Sequence, residues 1–202
     1  MPSSSGGKQK RRIKIQKIPT MYERGSDYVC IDKLKPDCEW VIHEGFATEK
    51  LDGTNVMIWV RGETVLAFFR RITPPREQSP SPLDKFGLYE EVNRSDPNSK
   101  WIIDALNNTD LSGWPDGDHC CEAIGPKIQG NPLGLASRRC EPLDLWPFIY
   151  ESFPRTFNEI RSALENLESL CSPGHIAEGV VFHHPDGRRA KIKRRDLFRI
   201  KP

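Results

Sequence analysis

The stretch ATEKLDGTNV, residues 47 to 56, sets Lys50 between Glu49 and Asp52, just ahead of an Asp-Gly pair and a short apolar run. A lysine that only solvates a surface needs no such setting. A lysine that acts as a nucleophile does, because it must be positioned and relieved of its proton. Three further stretches carry matching chemistry. CEAIGPKIQGNP, from residue 121, supplies Glu122; AEGVVF, from 177, supplies Glu178; AKIKRR, from 190, supplies Lys191 and Lys193. The two lysines are two positions apart and so share one face of a strand. Each piece alone has a plainer reading as a surface turn, a strand start or a solvated basic face. Together, in this order and each beside a strand pattern, they are hard to obtain by chance.

The elements that must position these residues read as a mixed, strand-rich pattern. NVMIWV (55–60) and TVLAFFR (64–70) flank RGE, a hairpin turn. Residues 71–96 are rich in Pro, Ser and charge and are expected to form a long surface excursion. A helix is expected after Asp96, with Pro97 in its first turn. HCCEAIG (119–125) and PFIYESF (147–153) read as strands. Residues 157–170 predict a helix, with Thr156 and Glu159 as capping box and Phe157, Ile160, Leu164 and Leu167 on one face. AEGVVFHH and RRAKIKRR read as a hairpin joined at PDG. No repeat and no regular strand–helix–strand alternation occurs, so the expected class is α+β.

Composition bounds the rest. The chain has 202 residues, 37% of them hydrophobic, with five Trp, which suffices for one domain with a core. Residues 1–12 read as a flexible basic tail and 13–202 as the domain. The net charge is only +2, yet GGKQKRRIKIQK near the start and GRRAKIKRRDLFRIKP at the end are strongly basic. Such clusters can be an electrostatic footprint for nucleic acid or merely solubilise the ends. Six cysteines without C-x-x-C spacing, and no apolar leader, are read as free thiols in an intracellular, soluble (cytoplasmic) protein. The apolar runs are too short to cross a bilayer, and a monomer is expected.

The motif set resembles the covalent nucleotidyltransferase superfamily of polynucleotide ligases and mRNA capping enzymes. That family uses a nucleophile K-x-D-G, a following Arg, a mid-domain Glu, E-G-[IV]-V and a closing K-x-K. Capping enzymes and DNA ligases read K-x-D-G-x-R, whereas the sixth position here is Asn55. ATEKLDGT, E-x-IG followed by GNPLGL, EGVVFHHPDG and KIKRRDL are similar to the 5′–3′ RNA ligase family that includes the vertebrate cytosolic enzyme. The likeness runs from about Ile18 to the C-terminus and is poor over 71–118.

The resemblance implies a ligase/capping-enzyme, ATP-grasp-like domain of antiparallel sheets flanked by helices, without an OB-fold. It implies ATP and Mg²⁺ (or Mn²⁺) as cofactors, and RNA with 5′-phosphate and 3′-hydroxyl ends as partner. Lys50 would take AMP from ATP, pass it to the RNA 5′-phosphate, and release it when a 3′-hydroxyl attacks. The resemblance gives Glu122 the ribose, Glu178 the metal and phosphate, and Glu49 a contact to adenine. Lys191 and Lys193 would face the phosphates. Arg70 is preferred over its neighbour Arg71 as the phosphate-contacting arginine, by spacing. An aromatic residue is expected to stack on the base, with Phe148, Tyr150 and Phe153 as candidates. Lys127, Gln129 and Asn131, in a loop bounded by Gly and Pro, and Arg194 and Arg195 are candidates for RNA contacts. His183 and His184 read as packing or surface. A lysine of ordinary pKa, about 10.4, is protonated at neutral pH. Lys191, Lys193 and a bound metal ion are expected to push Lys50 down. Two other readings compete: a DNA nick ligase, and a nucleic-acid-binding module that kept the fold and lost catalysis.

Overall fold

The computed structural model describes residues 11–73 and 86–198. Period-two apolar alternation builds its frame. In the strand β5 (Thr54–Arg61), Val56, Ile58 and Val60 are buried on one face, while Met57 and Trp59 pack on the other. The neighbour β6 (Thr64–Ile72) closes the expected hairpin with Val56 opposite Arg70 and Arg61 opposite Thr64. With β1 (Arg12–Gln16), β7 (Phe86–Glu91), β8 (Gly117–Ile124) and β9 (Arg139–Pro142), they form an antiparallel six-stranded sheet in the order β1-β7-β6-β5-β8-β9.

A second antiparallel sheet has the order β10-β4-β11-β12, from β4 (Phe46–Lys50), β10 (Ile149–Tyr150), β11 (Gly179–His183) and β12 (Arg189–Lys193). A short pair, β2 (Tyr22–Arg24) with β3 (Cys30–Leu34), stands apart, and the chain at 19–21 runs along the edge of β12. Each large sheet has helices on its outer face. Ala105 and Leu106 of α1 (Lys100–Asn107) pack on Val56, Ile58, Cys121 and Ala123. Ile160 and Leu164 of α2 (Phe157–Glu165), with Leu197 of α3 (Arg194–Leu197), pack on Val180, Phe182, Ala190 and Ile192. Burial of each such large side chain contributes roughly 1.5–3 kcal/mol. The α+β class and the antiparallel sheets are therefore present.

Three local expectations change. Within 71–96, residues 86–91 form a strand in mid-sheet; only 74–85 lie outside the described residues. The surrounding Pro and Ser hid the short alternation of β7. The helix expected over 157–170 ends at Glu165, because the backbone N–H groups of Leu170 and Cys171 are taken by the Glu49 carboxylate at 2.7 and 2.9 Å. Thr156 Oγ1 donates to Glu159 Oε2 at 2.7 Å and makes no bond to the helix backbone. Residues 1–10 of the basic tail and the basic stretch 199–201 lie outside the described residues. Order already includes Arg11 and Arg12, which pair with Glu91 and Glu90 on β7.

Two glycines are fixed by space. A Cβ on Gly53 would sit 2.3 Å from Ala123 O, where the chain crosses from one sheet to the other. A Cβ on Gly179 would sit 2.2 Å from Ile192 O, in the ladder that sets Gly179 opposite both Lys50 and Lys193. Backbone cannot retreat as a flexible side chain can. Gly179→Ala is expected to lower stability by about 1–3 kcal/mol, read as a reduced midpoint in urea unfolding; an unchanged midpoint would show that the ladder tolerates the methyl.

Candidate active site

The inner faces of the two sheets enclose a cavity of about 420 Å³. Strand alternation decides which side chains line it. On one wall, Thr48 and Lys50 of β4, Val181 and His183 of β11, and Arg189, Lys191 and Lys193 of β12 share a face. Asn55, Arg71, Tyr89, Cys120 and Glu122 come from the six-stranded sheet opposite. The segment Leu51–Asp52–Gly53 joins the walls at one end, and Arg195 stands at the rim, 64% exposed in its side chain.

Glu178 sits between two of the lysines. Lys50 Nζ donates to its Oε2 at 2.5 Å, and Lys193 Nζ donates to its Oε1. Arg195 is 3.9 Å from the same oxygen. Lys50 also donates to Leu51 O at 3.3 Å. Glu122 is buried opposite and accepts from Asn55 Nδ2 at 3.1 Å, while Asn55 Oδ1 accepts from Tyr89 Oη. Asn55, the residue that departs from the ligase pattern, thus holds Glu122 in place across the β5–β8 pairing.

The electrostatics of Lys50 run opposite to the expectation. Burial pulls its amine down, but Glu122, Glu178 and Asp52 together outweigh burial, and the net direction is up. The physical reason is that Lys50 lies among three carboxylates, whereas the cations expected to depress it are partly spent on Glu178. Burial would raise Glu178, yet Lys50 and Lys193 hold it below the usual carboxylate range. Burial raises Glu122 and Asp52. Burial, reinforced by Lys50, Lys193 and Arg71, lowers Lys191 to about 8. Burial also lowers Lys193, with Lys50 adding to it. Burial and Arg189 lower His183 to about 4, so its ring is neutral.

The other candidates separate. Arg70 pairs with Val56 on the face that meets α1, so it does not line the cavity; Arg71, one position on, does. By strand alternation Arg71, not Arg70, is the arginine that faces the cavity, and Gly87 beside it leaves room, a Cβ there lying 3.4 Å from Arg71 Nε. Glu49 is buried at the cavity wall, but its carboxylate is filled by Ser169 Oγ at 2.6 Å and the N–H groups of Leu170 and Cys171. It organises the loop after α2. Asn131 closes its own loop, bonding Leu135 N and O at 3.1 and 3.0 Å. Lys127 is exposed outside the cavity, and Arg194 donates to Glu165 O at 3.1 Å. Gln129 does line the cavity and donates to Thr54 Oγ1 at 3.4 Å. Phe148 packs near Leu51 and Ile124, Phe153 lies in the core under β11, and Tyr150 Oη donates to Glu168 O, so none of the three lines the cavity. The rings that do are Tyr89 and His183. Tyr89 was hidden in the excursion assigned to 71–96. Arg189, two positions before Lys191 on the same face, was legible from spacing.

No group of three or more His, Cys, Asp or Glu side chains is arranged as a metal cage among the described residues. A magnesium-type ion is commonly held by one or two carboxylates together with substrate phosphates. Asp52 and Glu178, both at the cavity, fit that mode of binding. No helix among the described residues is long and apolar enough to cross a membrane.

Neither protein-family models nor curated proteins match the chain. Solved structures do. A Naegleria gruberi RNA ligase mutant with ATP and Mn has 19% identity and a TM-score of 0.50, over 91% of this chain and 58% of that one. An apo mutant of the same ligase has 17% identity and a TM-score of 0.47, over 89% and 58%. A mutant with AMP and Mn has 16% identity and a TM-score of 0.48, over 89% and 58%. The chain thus spans about 58% of the length of the ligase it resembles. Its fold is similar to that of the Naegleria ligase.

Two outcomes are expected. Glu178→Gln removes a carboxylate that raises Lys50, so the pH midpoint for acylation of Lys50 by an amine-selective reagent, followed by peptide mass, should fall. Lys191 is charged against its surroundings below about pH 8. Its contribution to stability is therefore most unfavourable at neutral pH and recovers as pH rises from about 8 towards the unfolded value near 10.4. Lys191→Met should melt higher than wild type at pH 7, with the gap closing across that window.

Proposed function

We propose that this protein is an ATP-dependent RNA ligase that joins 5′-phosphate and 3′-hydroxyl ends through a lysyl-AMP intermediate on Lys50. The observation that carries the reading is the set Lys50, Glu122, Glu178, Lys191 and Lys193, drawn from distant parts of the sequence and gathered around one cavity. A binding module without chemistry has no need of a half-buried lysine held by a shared carboxylate. The motifs lean towards the family of the vertebrate cytosolic RNA ligase. The fold likeness to the Naegleria ligase supports the broader class.

The chain's own residues account for the first step. Lys50 Nζ, freed from Glu178 and with its proton lost to solvent, attacks the α-phosphorus; the bond to the bridging oxygen breaks, and pyrophosphate leaves with that electron pair. Lys191, Lys193 and Arg71 face the same space and offset the phosphate charge as it redistributes. Glu122, held by Asn55, is placed to accept hydrogen bonds from a ribose. Glu178 and Asp52 would hold a divalent ion, which would supply neutralisation of phosphate oxygens. In the second step the RNA 5′-phosphate displaces Lys50. In the third a 3′-hydroxyl displaces AMP. The raised amine of the free protein is then a resting state in which the nucleophile is stored as an ion pair.

Incubation with α-³²P-ATP and a divalent metal should leave a heat-stable label on wild type and none on Lys50→Ala in a denaturing gel. Label on the variant would dismiss Lys50 as nucleophile. Sealing of nicked RNA in preference to nicked DNA completes the assignment, and the reverse preference would make the protein a DNA ligase.

A further inference from the structure

An aromatic cluster lies at the end of the cavity wall away from Lys50. His183 stacks on Phe46, with ring centroids 5.1 Å apart and planes 12° apart. Trp146 meets Phe46 edge-on at 4.9 Å and 72°, and His183 at 6.0 Å. His183 is buried, is fixed by Thr48 Oγ1 at 2.9 Å, and lines the cavity. Trp146 is at the surface, 46% exposed, beside Leu145 at 40% and Ile149 at 46%. The three rings therefore join the cavity wall to an exposed apolar patch.

Trp146 is also held in an unusual backbone state. Its φ and ψ are 50° and 55°, the left-handed region, at the end of the turn Leu143–Leu145. A bulky side chain there is an outlier, and such strain persists only where the surroundings enforce it. Here the result is an indole displayed to solvent. Asp144, the nearest acid in sequence, is turned to His119 Nδ1 at 2.9 Å.

Charge identifies what the patch would meet. Arg189 is the register partner of His183, and Lys193 is the partner of Gly179, which also faces Lys50. Arg189, Lys191 and Lys193 share one face at intervals of roughly 7 Å. A row of cations thus leads from the aromatic cluster to the nucleophile. Aromatic rings beside a cationic track bind single-stranded nucleic acid, the rings taking bases and the cations taking phosphates. A neutral apolar partner would make no use of the track.

We propose that Trp146, backed by Phe46 and His183, is a stacking platform for a base of the RNA strand whose end enters the cavity, with Arg189 as its nearest phosphate contact. The inference rests on the RNA-ligase reading, and it assigns a strand-holding surface on the catalytic domain itself. Loss of one stacked base corresponds to about tenfold or more in affinity.

The test is fluorescence anisotropy of a 3′-labelled, 5′-phosphorylated single-stranded oligoribonucleotide at fixed salt, with full-length wild type, Trp146→Ala and Trp146→Phe. AMP labelling is measured on the same preparations. Trp146→Ala is expected to raise Kd about tenfold or more while labelling like wild type; Trp146→Phe should bind within about threefold of wild type. Wild-type affinity in a normally labelling Trp146→Ala would overturn the platform. Should Trp146→Ala fail to label through misfolding, Trp146→Leu replaces it: label retained with Kd raised about tenfold or more supports the platform, label retained with wild-type affinity overturns it. Absence of label on every protein, wild type included, would remove the ligase reading instead and leave the binding comparison readable.

Discussion

Glu178 is shared by lysines on the two strands that flank it, and the site depends on that sharing. Lys50 closes β4, Lys193 closes β12, and Glu178 stands just before β11 between them. A half-buried carboxylate needs partners, and two half-buried amines need a counter-charge. Each group therefore makes the others tolerable. The arrangement requires three strands in one register, which the missing Cβ of Gly179 permits. It also explains why Lys50 rests in its charged form.

A second constraint follows from the two-walled cavity. One sheet brings Lys50 and most of the cations, the other brings Glu122, Asn55, Tyr89 and Arg71, and Gly53 is where the chain passes between them. The Asp-Gly pair beside Lys50 is thus explained by the close approach of the Gly53 backbone to Ala123 O. The ends of both sheets also matter for function. At one end lie the acids and Lys50; at the other, the aromatic cluster and Arg189 give the cavity a direction along which a strand could lie.

Much of this was legible in the sequence. The hairpin of β5 and β6, the strand β8, and the pairing of β11 with β12 followed from alternation and turn residues, and the five residues around the cavity followed from motif order. The reading failed where local signals were weak or outvoted. The Pro- and Ser-rich context concealed β7 and with it Tyr89. The helical spacing of Leu167 overran α2 because the competing partner, Glu49, lies far away in sequence. Arg70 was preferred to Arg71 because spacing to a motif does not fix strand phase.

By itself the sequence determined which residues gather around the cavity, their order, and most of the elements that bear them, since side-chain alternation and turn preference are local properties. Only the tertiary structure decided which of two adjacent arginines faces the cavity, that Glu49 is spent on a loop, that Asn55 holds Glu122, and that Lys50 rests as an ion pair. Those outcomes depend on distances between residues far apart in the chain. Charge interactions and burial act through space, and no local pattern encodes them.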